Sequence, residues 1–192
     1  MTKEEIINEA EKIQGWMSRG ELGLLYDLTK EVVEKDGLAV EVGSWKGRSA
    51  YVIGQACQEK GARLICIDTF CGCETQKFLY EESMKVGIEK FIEDNIKKNL
   101  TGLPVDFVAG DSIEVYEHFA DGSISFCFID GDHYNPVVKQ DLDNFFPKVR
   151  KGGIFAGHDF SRDFPDVVSE VIVKFPDLIQ REIKYSIWLI RK

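Results

Sequence analysis

Short apolar runs alternate with longer segments of helical period along nearly the whole chain. The runs Leu38–Val42, Arg63–Asp68, Val105–Ala109, Ile124–Asp130 and Gly153–Gly157 predict strands. They are apolar on both faces, as parallel strands covered by helices on each side must be. Helices are expected between them, over Arg48–Glu59, Val86–Asn99, Ile113–Phe119, Pro136–Val149 and Pro165–Lys174. Two more, near Lys3–Gln14 and Glu21–Lys35, precede the first strand. Breakers at Lys60-Gly61, Asp121-Gly122 and Lys151-Gly152-Gly153 fall where a helix should give way to a strand. The tail reads as two further strands, Leu178–Ile183 and Ser186–Arg191, so close that they must pair antiparallel.

Thr69–Lys85 interrupts this regularity. It has no clear period and follows the second strand, so it is expected to be a long loop on the substrate rim, with room for a short helix. No repeat, low-complexity tract or linker divides the chain, and residues 1–192 are expected to form one domain. Composition agrees: 44% hydrophobic and 30% charged residues describe an ordinary globular protein. A net charge of -9 argues against broad binding to nucleic acid or anionic membranes. The amino terminus is a charged amphipathic helix without a signal core, and no run approaches the roughly 18 apolar residues of a membrane span. Five cysteines, two of them in apolar runs, read as reduced thiols of a cytoplasmic protein. Cys71-Gly72-Cys73 alone is a weak zinc signal.

Open α/β sheets bind ligands at the carboxyl ends of their strands, where strand order reverses. The first strand ends in Glu41-Val42-Gly43-Ser44-Trp45-Lys46-Gly47-Arg48-Ser49 and runs directly into a helix. Gly43 permits a tight turn, but Trp45 stands where a dinucleotide fingerprint needs its second glycine. A pyrophosphate needs that close approach; a sulfonium cofactor does not. Glu41 suits the ammonium group of an amino-acid moiety, Asp68 the two ribose hydroxyls, and Asp111 an adenine amino group. Asp111 or Ser112 equally well caps the following helix. The fourth and fifth strand ends carry Asp130, Asp132, His133, His158 and Asp159, whose oxygen and imidazole donors suit a divalent cation such as magnesium or manganese. A neutral His133 can take a proton from an acceptor hydroxyl. His133-Tyr134-Asn135-Pro136 also reads as a plain helix entry, with Asn135 as cap.

The turn after the first strand, together with Phe128-Ile129-Asp130-Gly131-Asp132-His133-Tyr134 and Lys151-Gly152-Gly153-Ile154-Phe155-Ala156-Gly157-His158-Asp159, resembles class I S-adenosylmethionine-dependent methyltransferases. The catechol- and macrolide-sugar O-methyltransferase-like branch is the most similar, over most of the chain from Gly15 onward. The resemblance implies a Rossmann-like sheet of seven strands, mostly parallel, with an antiparallel last strand and helices on both faces. It implies S-adenosylmethionine held by Glu41, Gly43, Ser44, Trp45, Asp68, Asp111, Ser112 and Asp130. It also implies a divalent metal, for instance Mg2+, on Asp130, His158 and Asp159, although relatives generally place a carboxylate where His158 stands. Asp130 and His133 are the expected catalytic residues, and residues 1–36 the expected cover of the acceptor site. Expected partners are a small-molecule acceptor and a second copy of the chain in a homodimer. Two alternatives are a nucleotide-cofactor (NAD-type) oxidoreductase, disfavoured by Trp45, and an inactive cofactor-binding module.

Overall fold

The computed structural model describes residues 1–71, 77–176 and 183–192. In chain order the elements are α1 (Lys3–Ala10), α2 (Arg19–Val32), β1 (Leu38–Val42), α3 (Arg48–Lys60), β2 (Arg63–Asp68), α4 (Lys77–Val86), α5 (Ile88–Ile92), β3 (Val105–Ala109), α6 (Ser112–Val115), β4 (Ile124–Ile129), α7 (Val137–Phe145), β5 (Val149–Gly157), α8 (Pro165–Lys174), β6 (Ile183–Lys184) and β7 (Ile187–Arg191). The seven strands form one sheet in the order β3-β2-β1-β4-β5-β7-β6. The pairings from β3 to β5 are parallel, whereas β7 runs antiparallel to both β5 and β6. This is the expected seven-stranded, mostly parallel sheet with helices on both faces. Strand order reverses between β1 and β4.

Alternation along the strands feeds two cores. Ala39, Leu64, Cys66, Phe126, Phe128 and Ile154 face α1, α2 and α3. Val40, Ile67, Cys127, Phe155 and Trp188 face α7 and α8. Each fully buried Phe or Leu contributes roughly 1.5–3 kcal/mol through the apolar surface it removes from water. The two amino-terminal helices are fixed by capping boxes, Thr2 with Glu5 and Ser18 with Glu21.

Several boundaries differ from expectation, each for a local reason. The expected Val86–Asn99 helix is split by Gly87, at φ 87°, and continues after α5 into a π-helical turn at Glu93–Lys97. Lys151-Gly152-Gly153 does not separate helix from strand. It lies inside β5, where the β4–β5 register shifts between Ile124 and Phe126, and Gly152 at φ 74° absorbs the irregularity. α7 starts at Val137 with Pro136 in the capping position, while the Asn135 side chain donates to Glu170 instead of capping. Within the expected Thr69–Lys85 loop, α4 begins at Lys77. Cys73 and most of the Leu178–Ile183 run lie outside the described residues. Cys57, Cys66, Cys71 and Cys127 are free thiols. No helix among the described residues is long and apolar enough to cross a membrane.

Candidate active site

A cavity of about 490 Å³ opens at the carboxyl ends of β1 to β5, over the reversal of strand order. Its floor is the turn between β1 and α3. Gly43 sits at φ 86°, and a Cβ there would lie 2.0 Å from the Asp130 carbonyl oxygen, so only glycine lets β1 and β4 end this close together. Gly47, at φ 87°, caps α3. Between them Trp45 takes a positive φ of 42°, and its amide donates to Asp68 Oδ2 at 2.7 Å. Asp68 Oδ1 accepts the Phe70 amide at 2.7 Å. Burial pushes the Asp68 carboxyl up, and these backbone donors oppose it. Each oxygen keeps a lone pair for a further donor.

The amino-terminal segment supplies one wall. Trp16, 60% exposed, packs on Trp45 with ring centroids 4.7 Å apart. The buried Lys46 amine lies over the same Trp45 ring, donates to Gln14 Oε1 at 2.7 Å and pairs with Glu82. Arg48 donates to the Gly15 carbonyl at 2.7 Å. Residues 14–17 are thereby pinned to the turn.

The opposite side carries the acid and imidazole groups. His133 Nε2 is 2.7 Å from Asp159 Oδ2, and His158 Nδ1 is 3.1 Å from Asp159 Oδ1 and 3.5 Å from Asp130 Oδ1. His158 Nε2 faces away, 3.2 Å from Glu21 Oε1 of α2 and 2.9 Å from Ser186 Oγ. Burial opposes ionisation of His158, yet the hydrogen bonds to Asp159 and Glu21 and the charge of Asp130 raise it to about 11. Burial also works against Asp159, but both imidazoles hold it at about 2. Asp130 has few donors, so burial pushes it to about 8, with His158 pulling the other way. His133 is raised as well: burial opposes its ionisation, and Asp159, Asp130 and Asp132 together outweigh it.

The five residues expected to converge all line the cavity, and four of them contact one another there. Asp132 instead accepts the amides of His133 and Tyr134, at 2.7 and 3.0 Å, and shapes its own turn. Asp130, His133 and Asp159 each offer a ligand atom within 4.8 Å of the others, so the imidazole suited to a cation is His133. The expected ligand His158 is occupied by Glu21, Ser186 and Asp159.

One expected cofactor residue falls elsewhere. Glu41 alternates away from the cavity into the core beside α3, fully buried, with Oε2 3.7 Å from Cys66 Sγ. Burial raises it to about 7, against the nearby Ser44 and Ser49 hydroxyls. Asp111 lines the cavity at its exposed rim and also accepts the Ile113 amide at 3.1 Å, the capping role. Gly43, Ser44, Trp45, Asp68, Ser112 and Asp130 all reach the cavity. Two acids escaped the sequence reading: Glu21, which pairs with His158 from the first turn of α2, and Asp141, which occupies a cavity-facing position of α7.

A sheet with an antiparallel β7 between β5 and β6, and an acid-rimmed cavity at its switch point, is the arrangement of class I S-adenosylmethionine-dependent methyltransferases. Residues 40–160 match the family model of the methyltransferase domain, and the chain belongs to that family. The fold is similar to that of a Corynebacterium glutamicum protein, with 14% identity, a TM-score of 0.62, and coverage of 98% of this chain and 89% of that one. It is also similar to the TDP-rhamnose 3'-O-methyltransferase of calicheamicin biosynthesis, at 17% identity and TM-score 0.57 over 88% and 76% of the two chains. A third is an S-adenosylmethionine-dependent O-methyltransferase of Thermotoga maritima, at 16% identity and TM-score 0.55, covering 91% of this chain and 56% of that one.

Proposed function

We propose that this methyltransferase transfers the methyl group of S-adenosylmethionine to a hydroxyl of a small molecule. The observation that carries the reading is that the Gly43–Lys46 turn and the Asp130, His133 and Asp159 cluster share one cavity. The sulfonium methyl is already activated, so the protein has to align two centres and relieve the acceptor oxygen of its proton. Trp45, Asp68 and Ser112 support the adenosyl end. His133, oriented by Asp159 as a carboxylate orients a general base, is set to take the proton at a ring nitrogen. Residues 14–17 and the amino-terminal helices, residues 1–36, cover the acceptor.

The same three side chains fit a divalent cation in the spread of their donor atoms and in their chemistry. A cation there would supply Lewis acidity toward the acceptor oxygen, with His133 as its ligand in place of a base. Turnover with candidate sugar and phenol acceptors, measured after chelation and after return of magnesium or manganese, distinguishes the two versions. Chelation that abolishes turnover assigns the cluster to a cation; chelator-insensitive turnover that His133→Ala destroys assigns His133 as the base. If the protein fails to bind S-adenosylhomocysteine in calorimetry, the reading is wrong.

A further inference from the structure

Asp141 is 1% exposed, in the middle of α7, yet it reaches the cavity. Its Oδ1 accepts the Ser112 hydroxyl at 2.6 Å. Its Oδ2 is buried and has no hydrogen-bond partner among the described residues. Leaving a carboxylate oxygen in that state costs roughly 1–3 kcal/mol or more, so a donor is expected to arrive with a ligand. Gly131 lies beside it, where a Cβ would sit 3.6 Å from Oδ2, in ordinary contact.

The position selects which part of the cofactor arrives. Asp68 closes β2, where a carboxylate meets ribose hydroxyls. Asp141 is tied to Ser112, at the head of the helix that follows β3, the next strand outward from β2. The amino-acid end must instead point toward the His133 cluster, where the methyl reacts. Val42, Ile67 and Val137 contribute apolar walls to the cavity, suited to a planar heterocycle.

We propose that Asp141, oriented by Ser112, is the residue that reads the base of the cofactor, its Oδ2 accepting an N–H of the exocyclic amine of adenine. This rests on the adenosyl reading above and moves to Asp141 the role that sequence suggested for Asp111. Burial, opposed by the Ser112 hydrogen bond, raises the unliganded carboxyl to about 7, in keeping with a group that lacks its donor.

Calorimetry of the full-length protein with S-adenosylhomocysteine and S-inosylhomocysteine tests it, because the second ligand replaces the 6-amino donor by a 6-oxo acceptor. The wild type should prefer the adenosyl compound on the order of tenfold or more. Asp141→Ala should bring that ratio close to one. Asp141→Asn, with its amide nitrogen in place of Oδ2, should favour the inosyl compound. Thermal melts establish that each variant is folded, and a ratio is independent of a uniform loss of affinity. A wild-type ratio retained in both variants overturns the role of Asp141 and leaves the adenosyl reading standing. Wild type that binds neither compound overturns both.

Discussion

Replacing Glu41 by Gln should make the protein more stable than the wild type in alkaline solution and leave the two nearly equal in acid. The carboxyl is fully buried and its value rises from 4.5 to about 7 on folding. An acid whose folded value lies above its unfolded one binds protons more tightly in the native state. Its contribution to stability therefore falls as pH climbs from the unfolded value toward the folded one, then levels off. One unit corresponds to about 1.4 kcal/mol, so the native state loses about 2.5 kcal/mol between about pH 5 and about pH 8.5 because of this one group. Glutamine keeps the shape without the proton equilibrium. Urea unfolding of both proteins across that range reads the effect, since the titrations of groups remote from Glu41 are common to the pair. A difference between the variants that does not change with pH would refute the argument.

Three other outcomes follow from the site. Gly43→Ala places a Cβ on the Asp130 carbonyl at positive φ and should cost more than about 3 kcal/mol in urea unfolding, with loss of S-adenosylhomocysteine binding. His133→Ala should lower turnover by about two to four orders of magnitude while S-adenosylhomocysteine affinity stays within about threefold; an equal fall in both would remove His133 from the chemistry. Glu21→Gln should lower the His158 value below about 11, read by NMR titration, and cost about 3 kcal/mol because it leaves a buried imidazolium short of its partner. The His158 contribution is complete below 6.5 and vanishes as pH rises toward about 11, so the Glu21→Gln deficit should shrink in that window.

Strand positions were legible because a strand covered on both faces must be apolar throughout, and β1, β2 and β3 match residue for residue. The turn at Gly43 was legible for a different reason: a missing Cβ leaves a signature in the sequence. What escaped notice were contacts between distant segments. Glu21 fits a capping box and gives no sign that its second oxygen meets His158, 137 residues later. Asp141 sits in Val137-Val138-Lys139-Gln140-Asp141-Leu142-Asp143, where two aspartates look alike; only the packing of α7 beside α6 and α8 decides that Asp141 is buried against Ser112 and Asp143 pairs with Lys139 and Lys174. The direction of Glu41 was misread because strand alternation, counted from Ala39, turns it into the core. His133 and His158 were both recognised as belonging to the rim, but their division of labour depended on Ser186, contributed by the far end of the chain.

One carboxylate, Glu21, begins a helix through Oε2 and steadies His158 through Oε1. Under the proposed function, the segment that covers the acceptor is for that reason mechanically tied to the strand end that carries the acid and imidazole cluster. Grafting a foreign amino-terminal segment to redirect specificity will succeed only when the graft brings an acid to the same spot.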